Sequence, residues 1–441
     1  MSARLGSNYW RLFGANVVSN LGDGVAVVAY PWLASAITRD PVQISLIAVV
    51  TRLPWLLFSL PAGVLTDRLD RRKLIIWMNG FRFVVTLIVA MVVWASRGSL
   101  ADPDAIATGT APVPANGAWL LAVLYFTAFL FGVAEVIADN AAQTLMPSLV
   151  ETDQLEKANG WLWGSETVAN SFAGPPIGGL LLAIGFAIPF FFDAASFAIA
   201  AALIASLAGR FRAEPGATRP EGPASWWSDL KEGVRWLWGH RLLRTLAIML
   251  GIMNALITLS LSTYVLFVQE VLGLDAARFG VLLWSGAVGG VLGSLFAPKV
   301  SARIGQGRSL QLVLLVSALG IGVTGITSSW GVVFAMAAVT SFVAVLWNVI
   351  TVSLRQEIIP DRLLGRVNSV YRFFAWGMMP IGSLLAGATV ALGETATSRV
   401  TALRLPFLIA SVAYLAVFAV GVRQLTDRRL AEARTERRPP Q

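Results

Sequence analysis

The chain has 441 residues, of which 56% are hydrophobic and only 13% are Asp, Glu, Lys or Arg, with a formal net charge of +9. A soluble domain carries about 25% charged residues, so this balance excludes an ordinary soluble globule. The absence of cysteine excludes disulfides and thiol chemistry, and the single histidine, His240, does not make a metal site.

Charge is confined to the gaps between apolar stretches long enough to cross a bilayer, about 20 residues each. Twelve spans are predicted, at 12–36, 42–65, 73–96, 117–140, 161–183, 186–208, 243–268, 279–300, 308–328, 331–353, 366–390 and 402–422. The expected fold is therefore all-α and polytopic. A transmembrane β-barrel needs strands of about ten residues with alternating polarity, and runs such as Leu74–Ala95 are too long and too evenly apolar for that. The first stretch continues past Pro31 with no small-residue cleavage pattern and reads as a retained span.

With the start of the chain inside, the cytoplasmic loops and termini, together with the cytoplasmic ends of the spans, hold 26 of the 34 Lys and Arg residues, and the outer loops hold only Arg39, Arg97, Arg278 and Arg399. This bias predicts that both termini are cytoplasmic. It also accounts for the net positive charge through topology and contact with anionic lipid, so no nucleic-acid partner is implied.

An ionisable side chain within a span is costly and needs a partner or a task. Span one holds Asn16, Asn20 and Asp23, the last between Gly22 and Gly24, with Tyr30 further on. Arg52 lies near the middle of span two. Consecutive spans are often neighbours, so an Asp23–Arg52 pair is expected, either as a reversible proton site responsive to hydration or as a permanent structural pair. Between spans two and three runs Gly63-Val-Leu-Thr-Asp67-Arg68-Leu-Asp70-Arg71-Arg72-Lys73. Arg82 follows in span three. Glu135 and Asp139 are one turn apart in span four and share a face; Glu135 is a candidate for a proton or a cationic substrate. Glu166 enters span five, which is interrupted by Pro175-Pro176, and Asp193 in span six is expected to have a buried hydrogen-bond partner.

The longest cytoplasmic connection, 209–242, begins as a Pro- and Gly-rich linker. It ends in a segment where Trp226, Trp227, Leu230, Val234, Leu237 and Trp238 share one helical face, the pattern of an interfacial amphipathic helix. It separates an N-terminal half, 1–208, from a C-terminal half, 243–441, with six spans in each. A weak repeat supports the division: Gln143 to Pro147 before Asn159, and Gln356 to Pro360 before Asn368. Spans seven to twelve lack mid-span carboxylates. Their candidate cavity residues are Asn254, Tyr264, Trp347, Asn348 and Trp376. Gln269 offers a further hydrogen bond, and Arg372 and Arg404 have the reach to snorkel.

The loop pattern Gly63-x-Leu65-x-Asp67-Arg68-x-x-Arg71-Arg72-Lys73 resembles the signature loop of the major facilitator superfamily, although that pattern usually has a glycine where this chain has Asp70. Ser19 to Gly24, Gln143 to Asn159 and Phe192-Asp193-Ala-Ala-Ser-Phe197 resemble its drug and siderophore exporter branch, which includes enterobactin exporters and bacterial macrolide and tetracycline efflux pumps. The resemblance implies two pseudo-symmetric six-helix bundles in a bacterial inner membrane. It also implies a cytoplasmic gate built from Gly63, Asp67, Arg68, Arg71 and Arg72, with Asp139 and Arg366 as partners, and proton-driven export of an amphipathic compound.

No Walker phosphate loop is present to support ATP-driven pumping, and no nucleophile–histidine–acid set suggests an enzyme. The reading is a carrier with alternating access, using no cofactor and expected to act as a monomer. Asp23, Glu135 and Arg52 are the proton-coupling candidates, and Asn20, Tyr30 and Glu166 are cavity candidates with those of the second half. A siderophore exporter, a lysophospholipid flippase and a non-transporting receptor or scaffold on a carrier fold are the alternatives.

Overall fold

The computed structural model describes residues 5–100, 114–151, 154–209, 211 and 223–435. The side chains of 59, 60, 63, 64, 67, 68, 156, 223–230, 361, 362, 364, 365, 369 and 435 lie outside that description. Among the described residues, 12 helices are long and apolar enough to cross a membrane. Many large apolar side chains on them face outward, among them Phe126, Leu180, Ile184, Leu319, Ile326, Leu392 and Val412. Such a surface suits lipid and would aggregate in water.

The first five spans are α1 (Ser7–Ile37), α2 (Pro41–Arg68), α3 (Arg71–Ala95), α4 (Gly117–Leu145) and a composite of α5 (Leu155–Glu166), a π-helix (Thr167–Ala173) and α6 (Gly174–Ile184). The sixth is α7 (Ile188–Ala205). The linker forms α8 (Pro223–Gly239), and span seven is α9 (Arg241–Leu261) followed after a short break by α10 (Tyr264–Glu270). The remainder are α11 (Ala276–Ile304), α12 (Gln306–Ile326), α13 (Trp330–Ile358), α14 (Asp361–Ala396), α15 (Arg399–Gln424) and the short α16 (Asp427–Thr435).

Helix starts follow local chemistry. Asp40 accepts from the Val42 amide at 2.8 Å just before Pro41, and Asp70 accepts from the Lys73 amide at 3.1 Å. Both are N-caps that satisfy amides left free at a helix start. The residue that replaces the signature glycine is thus a helix cap. His240 caps α9 through Nδ1, which accepts from the Leu243 amide at 3.3 Å. The π-helix runs into a proline pair, Pro175-Pro176. Pro176 has no N–H to return to the Phe172 carbonyl four residues earlier, and the Trp284 indole donates to that carbonyl instead.

The chain divides into two compact units. One comprises 1–216 with 265–284, the other 217–264 with 285–441. In the first, α1 packs on α6 and α7, and α3 packs on α4 and α7. Its apolar core where the chain begins gathers Tyr9, Leu12, Leu74, Leu145 and Ile204, with the Tyr9 hydroxyl donating to the Ala158 carbonyl at 2.9 Å. In the second, α9 packs on α14 and α15, and α12 packs on α13 and α15. Spans one and three thus choose partners five, six and four, and spans seven and nine choose eleven, twelve and ten. This is the same pairing six spans on.

The linker helix belongs to the second unit. Leu237 is buried, Trp238 lies on Phe374 at 5.8 Å, and Glu232 forms an ion pair with Arg366. The expected apolar face therefore has a packed end. Of its other members, Val234 is exposed, and Trp226, Trp227 and Leu230 lie outside the described side chains.

Candidate functional site

The first unit contains an ion pair at membrane depth. Arg82 Nη2 donates to Asp23 Oδ1 at 2.6 Å, joining the middle of α1 to α3, with side-chain exposures of 4% and 19%. The guanidinium also lies over two rings that pack edge-on against each other, its carbon 3.9 Å from the centroid of Phe197 on α7 and 4.5 Å from that of Phe131 on α4. Cations over aromatic faces are attracted by the ring quadrupole, most strongly where water is excluded. Glu135 lies one turn beyond Phe131 and Asp139 one turn beyond Glu135, both half-buried. With Asp193 on α7, these carboxyls act on Arg82 together with Asp23.

Close backbone approach builds the site. A Cβ on Gly22 would fall 2.2 Å from Ser196 Oγ and 2.4 Å from Asp193 Oδ1, so only glycine lets α1 meet α7 here. The Tyr30 ring, two turns along α1, packs edge-on against Phe190 at 5.1 Å. Asn20 donates to the Asn16 carbonyl of its own helix at 2.9 Å. Glu166 is half-buried at the end of α5, immediately before the π-helix.

Several expectations are corrected. Asp23 pairs with Arg82 rather than with Arg52. Span one packs chiefly on spans five and six and only slightly on span two, and Arg52 lies exposed on α2. Asp193 has no hydrogen-bond partner on either carboxylate oxygen. Arg71 donates to the Thr144 carbonyl at 2.9 Å, and Arg72 donates to the Ile204, Ala205 and Gly209 carbonyls at and just past the end of α7. The exposed carbonyls of a helix C-terminus attract cations, so both arginines are engaged there and Asp139 is paired with neither. Gly63, Asp67 and Arg68 have side chains outside the description. Arg366 meets Glu232 of the linker helix.

In the second unit, Trp347 is 2% exposed within the apolar core, and Tyr264 is buried against Phe407. Asn254 clamps α9 to α14 by donating to the Ala375 carbonyl at 2.9 Å. These three are packing residues in this structure, and Asn348 is exposed while Trp376 is half-buried. Arg404 does not snorkel: it donates to the Gly325 and Thr327 carbonyls at 2.8 and 2.9 Å, capping the end of α12. Among the described residues no group of three or more His, Cys, Asp or Glu could hold a metal ion.

At the far end of α1 a second polar group stands in the first unit. Arg39 donates to Glu270 Oε1 and to Gln269 Oε1, each at 2.6 Å, and Gln269 donates to Ser35 Oγ at 2.8 Å. The sequence marks Arg39 only as an outer-loop charge. Charge-assisted bonds of this kind contribute about 1.5–3 kcal/mol. Arg39→Ala is therefore expected to lower the melting temperature in detergent by a few degrees, and Glu270→Gln by less. Unchanged melting of both variants in a thermal-shift assay would show that the clamp contributes no stability.

Buried charge on the inner faces of helices whose outer faces are apolar is the pattern of a polytopic membrane protein. The Major Facilitator Superfamily model matches residues 12–383, and the chain belongs to that family. It is a multi-pass protein of the bacterial inner membrane and a secondary transporter of small molecules by alternating access, not an enzyme. It is 27% identical over 424 residues to the multidrug efflux pump Tap of Mycobacterium tuberculosis (strain ATCC 25618 / H37Rv), covering 93% of each chain. It is 24% identical over 363 residues to the enterobactin exporter EntS of Escherichia coli O127:H6, covering 82% of this chain and 80% of that one. A solved bacterial homologue of the iron transporter ferroportin aligns over 96% of this chain and all of its own, with TM-score 0.72 and 17% identity, a likeness of fold.

Proposed function

We propose that this carrier exports amphipathic small molecules, cationic drugs foremost, in exchange for protons. The observation that supports this most is the Asp23–Arg82 pair. Removing two charges from water costs more than a simple scaffold needs to spend, and a carboxyl with 19% of its side chain exposed remains reachable by a proton. Protonation of Asp23 would release Arg82, and re-pairing would expel the proton. Glu135, Asp139 and Glu166, half-buried near the pair, favour a cationic substrate over an anionic one. The two relatives named above are both described as exporters, which supports the outward direction.

In this reading both termini and the signature loop are cytoplasmic, anionic lipid contacts the basic loops, and the Arg39 clamp lies at the outer face. The two halves of six spans alternate as a monomer, with Arg71 and Arg72 bracing the cytoplasmic end of the first.

The test is internal pH in proteoliposomes of known orientation, after adding cationic drugs, macrolides and siderophores under one proton gradient. Wild type is expected to move protons with at least one cationic drug. Asp23→Asn is expected to abolish that movement while retaining binding. Equal proton movement in both would remove Asp23 from coupling. Movement with siderophores alone would transfer the proposal to siderophore export, and binding without any movement would support a receptor.

A further inference from the structure

Asp193 is 0% exposed, and neither of its carboxylate oxygens has a hydrogen-bond partner. Ser196, one turn along α7, donates to the Asp193 main-chain carbonyl at 2.7 Å instead of to the carboxyl. An ionised carboxylate sealed from water without donors is among the costliest groups a protein can hold. Arg82 is the nearby cation, and Asp23 already occupies it. A neutral, proton-bearing Asp193 removes the conflict.

Three observations connect this carboxyl to the ion pair. Phe197, on which Arg82 is stacked, is one turn from Asp193 and on the same face of α7. The Nε of Arg82 is buried without a partner, leaving one donor unused. Gly22, next to Asp23, brings α1 so close to α7 that a Cβ there would touch Asp193 Oδ1. The other titratable groups facing this space are Tyr30 on α1, whose buried hydroxyl has no partner, Glu135 and Asp139 on α4, and Glu166 on α5.

We propose that Asp193 is a second proton-carrying group of the transport cycle, and that Arg82 exchanges between Asp23 and Asp193 as the proton passes the other way. The inference rests on the proton-coupled reading given above. In the state seen here Asp23 is a carboxylate paired with the guanidinium and Asp193 is a carboxylic acid. In the exchanged state the Asp193 O–H bond is broken, its proton is on Asp23, and the guanidinium pairs with the Asp193 carboxylate. Net charge is unchanged and nothing is oxidised. Phe131 and Phe197 give the guanidinium a stacked path between its two partners. Asp23 faces the exposed side and Asp193 the sealed side, so the exchange moves a proton between an accessible and an inaccessible position.

The test compares wild type with Asp193→Asn in reconstituted membranes. Asparagine mimics the neutral acid, so the variant is expected to fold and melt as wild type does. Infrared difference spectra should show loss of a protonated-carboxyl C=O band. Gradient-driven efflux of tetraphenylphosphonium should fall about 100-fold, the lower end for deleting a proton-transfer group, while counterflow without a gradient persists. Unchanged gradient-driven efflux, no lost carboxyl band, or a variant that cannot fold would each overturn the role of Asp193. If wild type couples no compound to protons, the exporter reading falls and the relay falls with it. If wild type and Asp193→Asn couple alike, only the relay falls.

Discussion

Arg82→Ala is expected to abolish coupled transport and to cost the folded protein about 3–5 kcal/mol, the range for removing one partner of a buried ion pair. The loss has two sources. Asp23 is left without its 2.6 Å partner in a space shared with other carboxyls, and the Phe131 and Phe197 rings lose the guanidinium that lies over them. Arg82→Lys should fall between, because an ammonium keeps the charge but neither stacks over two rings nor presents a fork. The double variant Asp23→Asn with Arg82→Ala should melt higher than Arg82→Ala, since no charge is then buried alone. A thermal double-mutant cycle measures this coupling. If Arg82→Ala melted like wild type and still transported, the pair would have neither a structural nor a functional role.

Gly24→Ala is expected to have a large and purely steric effect, because a Cβ there would fall 2.5 Å from the Asn170 carbonyl oxygen and 2.9 Å from the Gly174 Cα. Those are main-chain atoms of the π-helix and the start of α6, which cannot rotate away as a side chain can. Overpacking commonly costs about 1–3 kcal/mol, and two backbones in contact place this variant at the upper end. Gly174→Ala should match it, since its Cβ would lie 2.5 Å from the Gly24 Cα. Gly80→Ala is the control: nothing lies within 4 Å of its Cβ, and helix propensity should make it neutral or stabilising. Equal yield and melting of all three variants in detergent would show that the α1 crossing is looser than described.

The sequence made the number of spans legible, because hydropathy marks the apolar slab. It did not mark helix ends. Span eleven was expected at 366–390, yet α14 runs Asp361–Ala396, since polar residues extend a helix beyond the slab at no cost in burial. The break between α9 and α10 was also hidden, because Ser262 and Thr263 sit in a continuous apolar run. In the site, Asp23 and Glu135 stood out as charges in apolar stretches. Arg82 stood out equally but was given no partner within the protein. The error came from taking neighbours in sequence as neighbours in space; α1 meets α7 far more than α2. The spacing of Asp193 and Phe197 on one helical face was the available clue, but the second ring, Phe131, comes from a different span and no local pattern links them. Trp347 and Asn254 were misread because a residue type does not reveal which way a helix is turned.

The π-helix in span five bears on that last point. A π segment accommodates more residues per turn than the α-helix on either side, so it alters the angular phase of everything after it while leaving depth in the membrane nearly unchanged. Glu166 stands just before this segment and Gly174 just after it. The π segment therefore acts as an indexing device. It sets the compass direction in which one half of the span presents its carboxyl relative to the direction in which the other half presents its glycine seam to α1. A one-residue deletion between 167 and 173 would leave the span long enough to cross the bilayer and would still misaim one of the two.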